Sequence, residues 1–260
     1  MTKLLPFVFI KIGILKELQY RINFLIQLLQ SIIAVIVGLF VLTIVFCYTT
    51  TLAGWNQSEL VAVMGVQILM GGIITTIIQP NMLKMVNDVR QGTLDFILTK
   101  PADSQLLVSL REFQIWQLTD VLTGVIVFLW AINDLKDNLG LEQTIIFTGL
   151  LICGGLMIYS FWLILTTGAF WIVRMEEITE LFQGIYAAGR WPVTIYPDWL
   201  RTGLTFIVPI AFAVTVPAEA ITNRLTTDTM ILTVVLTISL LIISRWFFKY
   251  GLKNYSSASS

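Results

Sequence analysis

The chain has 260 residues, of which 57% are hydrophobic and 12% are charged, and its formal net charge at pH 7 is zero. An ordinary soluble domain has about 45–50% apolar and about 25% charged residues, so the composition indicates an integral membrane protein. Histidine is absent, which excludes histidine-based metal sites and Ser–His or Cys–His nucleophile pairs. Cys47 and Cys153 lie in or beside apolar runs and are interpreted as small buried hydrophobes.

Six apolar segments are long enough to cross a bilayer, at about 20 residues per helical span. In chain order, the predicted spans are roughly Ile22–Phe46, Leu60–Ile78, Leu106–Ile132, Thr144–Val173, Thr202–Ala220 and Thr229–Phe248. Pro209 and Pro217 interrupt the fifth. The predicted fold is therefore all-α, a single transmembrane domain over residues 1–260.

Two terminal segments lie outside these spans. Residues 1–21 place Lys11, Lys16 and Glu17 opposite apolar side chains, which predicts an interfacial helix lying flat at the membrane surface. No compact apolar core precedes a small-residue cleavage site, so no removable signal peptide is expected. Residues 254–260 form a polar tail.

The distribution of Lys and Arg predicts the orientation. With the N-terminus inside, fourteen of the sixteen basic residues fall on one side, and only Lys136 and Arg224 fall on the other. Because cytoplasmic loops are enriched in Lys and Arg, both termini and the segment 81–105 are predicted to be cytoplasmic.

The segment 81–105 is charged and helix-competent, although it joins two apolar spans. Gly92 allows a turn, and Thr93 can cap the first turn of a helix. Asp95 and Lys100 suit the two ends of the helix dipole, and Pro101 stops the helix. These residues predict a short helix over Gly92–Lys100.

A helix of two turns cannot hold itself together in water, so it must dock on another surface. Leu94, Ile97 and Leu98 share one face of the predicted helix. Two interpretations remain open. The face docks on its own protein or on lipid headgroups, or it docks in a groove of a soluble partner.

The connector 174–201 also has two interpretations. It begins with Glu176, Glu177 and Glu180, continues as an amphipathic helix, and then meets Gly189 and two prolines. It is either an interfacial helix joining spans four and five, or a broken or partly re-entrant helix lining a route through the protein.

Gln114, Gln117 and Asp120 recur every three residues and predict a polar stripe, with Asp120 close to the middle of span three. A carboxylate there costs about 2.5–3.5 kcal/mol on insertion scales, so it should face the bundle interior or water. The stripe either makes a structural hydrogen bond to another span or lines a transport path.

Motifs for catalysis and nucleotide binding are absent from the sequence. It has no GxxxxGK[ST], and indeed no Gly-Lys pair, and it lacks GxSxG, HExxH and CxxC. The chain therefore supplies no phosphate-binding loop, and it is predicted to be neither an enzyme nor a metal-binding or nucleic-acid-binding protein.

Three sequence pieces together resemble the permease subunits of ABC-2 type exporters, in particular a six-span bacterial branch. The most specific is RQGTLDFILTKP at Arg90–Pro101. The others are YRINF at Tyr20–Phe24, and PDWLR at Pro197–Arg201, followed by TFIVP at 205–209 and VPAE at 216–219.

The resemblance implies a permease in the bacterial inner membrane that pairs with an identical or related permease over two separate ATPase subunits. ATP and Mg²⁺ would bind those partners, and this chain would hold no cofactor. The coupling helix would map onto roughly Gly92–Lys100. The implied coupling residues are Arg90, Gly92, Thr93, Leu94, Asp95, Phe96, Leu98, Lys100 and Pro101. One departure is expected: the usual extracellular helical hairpin between spans five and six is hardly present in Ala220–Asp228.

Two rival functions remain. One is a secondary transporter that uses Asp120 as a proton or cation site, and the other is a membrane-embedded enzyme, for which only Asp120 offers an intramembrane carboxylate. The apolar walls favour a hydrophobic or amphipathic cargo for the exporter.

Overall fold

A computed structural model describes residues 21–135, 140–171 and 177–255. Within these ranges the chain is helical, with one isolated β-bridge between Leu52 and Trp55, so the predicted all-α fold is confirmed. Apart from Arg21, the predicted interfacial helix lies outside the described residues, as does most of the polar tail. In chain order, the helices are α1 (Arg21–Tyr48), α2 (Gln57–Gln91), α3 (Asp95–Leu98), α4 (Ser104–Ser109), α5 (Ile115–Asp134), α6 (Leu141–Phe170), α7 (Glu177–Ala187), α8 (Asp198–Ile207), α9 (Ala211–Ile221) and α10 (Thr227–Asn254).

Helices α1, α2, α5, α6 and α10 are each long and apolar enough to cross a membrane. Helix α2 is longer than the predicted second span, which ended at Ile78. It contains a π-helical turn at Ile74–Ile78 and then continues through the charged residues to Gln91. The wider turn precedes Pro80, which has no N–H to donate to the helix ladder. Half of the predicted cytoplasmic segment is therefore a rigid extension of a span.

The third span begins nine residues later than the predicted Leu106, at Ile115. The chain breaks between α4 and α5 because the buried side chain of Asn81 takes over the backbone hydrogen bonds there. Its Oδ1 accepts from the N–H groups of Arg111 (2.7 Å) and Glu112 (2.9 Å), and its Nδ2 donates to the carbonyl of Glu112 (2.8 Å).

Glycines allow α2 and α5 to approach closely. A Cβ added to Gly124 would lie 2.3 Å from the backbone N of Leu69, and one added to Gly65 would lie 2.7 Å from that of Phe128. Gly72 meets α5 in the same way. Small residues at helix contacts let backbones pack directly in membrane proteins, so this pair forms the centre of the bundle.

Gly124→Val is expected to destabilise the protein strongly, because the added atoms meet backbone that cannot move aside. Overpacking typically costs about 1–3 kcal/mol. Gly149→Val is the matched control, since a Cβ at Gly149 meets nothing within 4 Å. The check is the unfolding midpoint of the two variants in detergent. Equal midpoints would contradict direct backbone packing of α2 on α5.

The bundle has two distinct ends. The Trp55 end contains the α1–α2 loop, and Arg224, which precedes α10, pairs there with Glu59 at 2.9 Å. The Arg111 end contains the segment between α2 and α5, and Arg245, late in α10, pairs there with Asp103 at 2.8 Å.

The chain crosses between these ends at an unpredicted place. The last turn of α6 contacts α10 near Gly251, at the Arg111 end. Thr194 accepts a hydrogen bond from the indole N–H of Trp55 (3.2 Å), so it has reached the opposite end. The fifth crossing therefore lies between Phe170 and Thr194 and includes α7.

Helices α8 and α9 form a bent pair that starts at the Trp55 end of the bundle and returns to the same end. Their axes differ by 79°. Next to the elbow, the side chain of Ile210 lies against Gly189, and the backbone of Ala213 lies against Gly154, near the middle of α6. Since α9 is followed by Arg224 at the Trp55 end, the pair dips into the bundle and comes back.

Three expectations change as a result. The predicted span Thr202–Ala220 is wrong, because this segment does not pass through the bundle. The expected departure considered only Ala220–Asp228, whereas in the structure the bent pair α8–α9 lies directly before α10. Of the connector 174–201, residues 174–176 lie outside the described ranges. The described part is a broken helical segment that crosses the bundle as far as Thr194, so it is neither a helix lying flat at the interface nor a re-entrant one. In the structure, Arg190 and Arg201 do not lie at the Arg111 end. The excess of basic residues at that end is therefore smaller than predicted, but it has the same direction.

Candidate coupling surface and polar cluster

The predicted helix over Gly92–Lys100 is a single helical turn, α3. Gly92 ends α2 in the left-handed conformation (φ 70°), which glycine adopts without strain. Thr93 does not cap α3, contrary to prediction, because its hydroxyl turns back and donates to Asp88 Oδ1 at 3.0 Å. The turn is therefore attached to the end of α2.

The apolar side chains of this turn point in two directions. Leu94 is fully buried and Ile97 is buried in the main hydrophobic core of the chain, with Leu98 partly buried against it. Of the two interpretations for that face, docking on the chain itself is the one observed. Phe96 points away from the core, with 73% of its surface exposed.

The other predicted coupling residues lie around Phe96. Arg90 and Pro101 are exposed, and Asp95 and Lys100 are partly buried. A short exposed aromatic turn at the end of a long span thus remains available for contact, while its base is fixed to the bundle.

Asp88 fixes that base. Its carboxylate is almost fully buried and lies 2.6 Å from Nη1 of Arg111 and 3.3 Å from Nζ of Lys84. Its backbone carbonyl accepts hydrogen bonds from the N–H groups of Thr93 (2.9 Å) and Leu94 (3.3 Å). One residue thus joins α2, the α3 turn and the segment that leads into α5.

Sequence reasoning counted Asp88 and Arg111 only as charges and did not assign a role to Asn81. The available signal was spacing, because Asn81, Lys84 and Asp88 recur at intervals of three and four on one helical face. Arg111, the partner of Asn81 and Asp88, lies more than twenty residues away from both, and the spacing does not identify it.

The far side of the turn is also attached. Asp103 caps α4 by accepting from the backbone N–H groups of Gln105 (3.0 Å) and Leu106 (3.3 Å), and it pairs with Arg245 of α10. Burial would raise the pKa of Asp103, but the hydrogen bond from Arg245 and those from the backbone lower the pKa below its ordinary value. Gln105 in addition donates to the hydroxyl of Tyr159 in α6.

The predicted polar stripe forms a cluster between α1 and α5. Gln27 Nε2 donates to Gln117 Oε1 (3.0 Å) and to Asp120 Oδ2 (3.2 Å). The hydroxyl of Ser31 donates to Asp120 Oδ1. Asp120 lies in the first α-helical turn of its span and not in the middle as predicted, because the span begins later.

Gln114 belongs to the same region but not to the helix. It is extended (φ −89°, ψ 91°) and precedes the first turn, so the three-residue repeat is not continuous helical geometry. Gln114 and Gln117 nevertheless line a cavity of about 330 Å³ beside Asn23 and Gln27 of α1. Asp120 is hydrogen-bonded to Gln27 and Ser31 and is not among the residues that line this cavity.

Within the described ranges, no three acidic or thiol side chains gather into a potential metal site. A family model described as ABC-2 family transporter protein matches residues 4–259, which include both the α3 turn and the polar cluster. No curated protein and no solved structure matches the chain.

Proposed function

Because the chain belongs to the ABC-2 family of transporter proteins, we propose that it is the permease subunit of an ATP-driven exporter. The resemblance carried by Arg90–Pro101 is confirmed at the level of the family. Such a subunit forms the membrane passage and is typically non-catalytic. The absence of a GxxxxGK[ST] sequence supports a division of labour in which ATP and Mg²⁺ bind a separate P-loop ATPase.

In this proposal the Arg111 end faces the cytoplasm of a bacterial cell, as the excess of Lys and Arg on that side favours. Two ATPases would lie beneath two permeases, this chain and an identical or related one. The cargo would pass at the interface between the two permeases, entering from the cytoplasm or the inner leaflet. A hydrophobic or amphipathic cargo suits such a route.

The exposure of Phe96 on an otherwise anchored turn is the observation that carries the proposal. A bulky aromatic in water costs hydrophobic free energy, and burying it fully against a partner recovers about 1.5–3 kcal/mol. Its neighbours Leu94 and Ile97 are already buried in the bundle. Phe96 is thus the side chain that a groove on the ATPase would receive.

The anchoring gives the turn a mechanical role. Through Asp88 and Arg111, a displacement of the turn reaches the end of α2 and the beginning of α5. Through Asp103 and Arg245, it reaches α10. Packed elements transmit such shifts because close-packed interiors resist compression. ATP-driven closure of the partner would therefore move three spans together.

The test is to purify the chain from a strain that expresses its genetic neighbours at natural levels. We expect a protein with a P-loop to copurify in a stable complex and to hydrolyse ATP. A chain that transports a substrate as an isolated protein, with no ATPase in the complex, would overturn the proposal.

A secondary transporter is the second candidate, because Asp120 is a carboxylate inside a span. The hydrogen bonds from Gln27 and Ser31 favour a structural tie instead. Asp120→Leu is then expected to destabilise the protein by about 1–3 kcal/mol, since it removes two hydrogen bonds worth about 0.5–1.5 kcal/mol each, whereas Asp120→Asn keeps an acceptor and keeps ATP-dependent transport. Transport assays in vesicles decide the matter: proton-dependent transport that Asp120→Asn abolishes would support the rival.

A further inference from the structure

A cavity of about 450 Å³ opens at the Trp55 end, between the bent pair and the beginning of α10. Its size falls within the range of about 300–1,000 Å³ that is usual for small-molecule sites. Asp198 and Arg201 line it from α8, Glu219 from α9, and Thr229 from α10. It is remote from the coupling turn and from the polar cluster.

The charged side chains are the groups in this cavity that remain available to a ligand. Two of its threonines are committed to their own helix: Thr202 donates to the carbonyl of Asp198 (2.8 Å) and Thr205 to that of Arg201 (2.7 Å). Arg201 lies near enough to act electrostatically on Glu219. In the described part of the chain, no hydrogen bond or close ion pair joins these two side chains.

The rim of the cavity is apolar. Phe206 and Leu232 line it and are exposed, and Ile207 and Ile231 beside them are exposed as well. In a membrane protein, exposed apolar side chains on spanning or re-entrant helices face lipid or a neighbouring subunit. The cavity thus combines charged side chains with apolar ones that can contact hydrocarbon.

We propose that this cavity binds the headgroup of a zwitterionic amphiphile, a phosphate diester that carries a primary ammonium group. Arg201 would bind the phosphate, as guanidinium groups do. Glu219 and Asp198 would bind the ammonium, and the hydrocarbon would lie along Phe206. This site goes beyond the proposed export function, since it requires neither ATP nor a partner chain.

Charge complementarity selects this class of ligand. The cavity carries two carboxylates and one guanidinium, so a purely anionic headgroup would meet uncompensated negative charge. A purely cationic ligand would be repelled by Arg201, which already lies near Glu219. A zwitterion can place its anion on Arg201 and its cation on the carboxylates, and its hydrocarbon can contact the apolar side chains.

The experiment measures binding to the purified full-length chain in detergent with three probes. They are phosphatidylethanolamine with six-carbon chains, phosphatidylglycerol with the same chains, and free O-phosphoethanolamine. The first is expected to bind at least about tenfold more tightly than each of the others. Phosphatidylglycerol lacks the ammonium and its charged hydrogen bond, and O-phosphoethanolamine lacks the hydrocarbon. Equal binding of the first two probes would overturn the role of the carboxylates. Equal binding of free O-phosphoethanolamine would overturn the amphiphile and identify a soluble ligand.

Variants that each remove one charge test which part of the ligand each side chain binds. Glu219→Gln is expected to lower the affinity for phosphatidylethanolamine about tenfold and to raise that for phosphatidylglycerol, because a repelling carboxylate is removed, whereas Arg201→Gln lowers both. Glu142→Gln and Arg190→Gln are matched controls, because they remove the same charges from exposed positions outside the cavity.

The unfolding midpoint of each variant is measured alongside binding. Should Arg201→Gln fail to fold, Arg201→Lys keeps the charge and is expected to keep binding within about tenfold. Affinities in the cavity variants that equal those of the two controls would overturn the site.

Discussion

Arg111→Gln is expected to lower the free energy of unfolding by about 3–5 kcal/mol, because it leaves the buried carboxylate of Asp88 without its closest countercharge. The remaining cation, Lys84, is more distant and partly exposed, so it compensates weakly. The loss should be seen as a lower unfolding midpoint in detergent and as faster proteolysis between α2 and α5.

Two controls separate a buried ion pair from a general effect of removing charge. Arg245→Gln breaks a partly exposed pair with Asp103, which is worth about 0–1 kcal/mol. The double variant Asp88→Asn with Arg111→Gln removes both charges, so it should be less destabilised than the sum of the two single variants. Strict additivity, or equal losses for Arg111→Gln and Arg245→Gln, would contradict the role given to Asp88.

Phe96→Asp is expected to leave the fold intact and to release the ATPase. Substitutions at exposed positions usually change stability by less than about 0.5 kcal/mol. Loss of an aromatic anchor at an interface costs about 2 kcal/mol or more, and the new carboxylate would also have to be desolvated. The measurement is the amount of ATPase that copurifies, together with ATP hydrolysis by the complex.

Two control variants test whether the effect depends on the position and on the charge of the new side chain. Tyr48→Asp places a carboxylate on an exposed aromatic position at the opposite end of the bundle and should keep the complex. Phe96→Leu keeps an apolar side chain and should retain most of the binding. Complex formation by Phe96→Asp at the wild-type level would contradict the docking role.

Leu94 is the position at which the structure changes an expectation drawn from the sequence. From the sequence alone, Leu94→Asp and Phe96→Asp are equivalent, because both positions belong to the predicted coupling helix. In the structure Leu94 is fully buried, so Leu94→Asp places a carboxylate in the core and should unfold the Arg111 end itself. A reduced complex in that variant would therefore not report on docking.

Much of the fold was predictable because long apolar runs identify membrane helices without reference to their partners. The spans at α1, α2, α6 and α10 follow from such runs. The short helical turn α3 was located by Gly92 and Pro101, whose backbone requirements are local. These are the features for which neighbouring residues in sequence determine the conformation.

The features that were missed depend on contacts distant in sequence. The late beginning of α5 results from Asn81, whose side chain satisfies backbone groups about thirty residues away. The role of Asp120 depends on Gln27 and Ser31, which lie about ninety residues before it. Periodicity along one helix carries no information about either partner.

The fifth crossing was missed for a different reason. Hydropathy identifies Thr202–Ala220 as a span because the bent pair is apolar, but apolar composition does not distinguish a helix that crosses from one that returns. The true crossing contains the eleven-residue α7 and is interrupted by Gly189 and Pro192. Its position becomes evident only from the contact between Thr194 and Trp55.

The most direct measurement is photo-crosslinking in cells from a photoreactive phenylalanine placed at position 96, with position 48 as the control. If the α3 turn docks on a P-loop ATPase, position 96 will crosslink to that ATPase and position 48 will not. A crosslink pattern at position 96 that contains lipid or other membrane proteins but no ATPase would contradict the proposed coupling of this permease to a separate ATP-hydrolysing subunit.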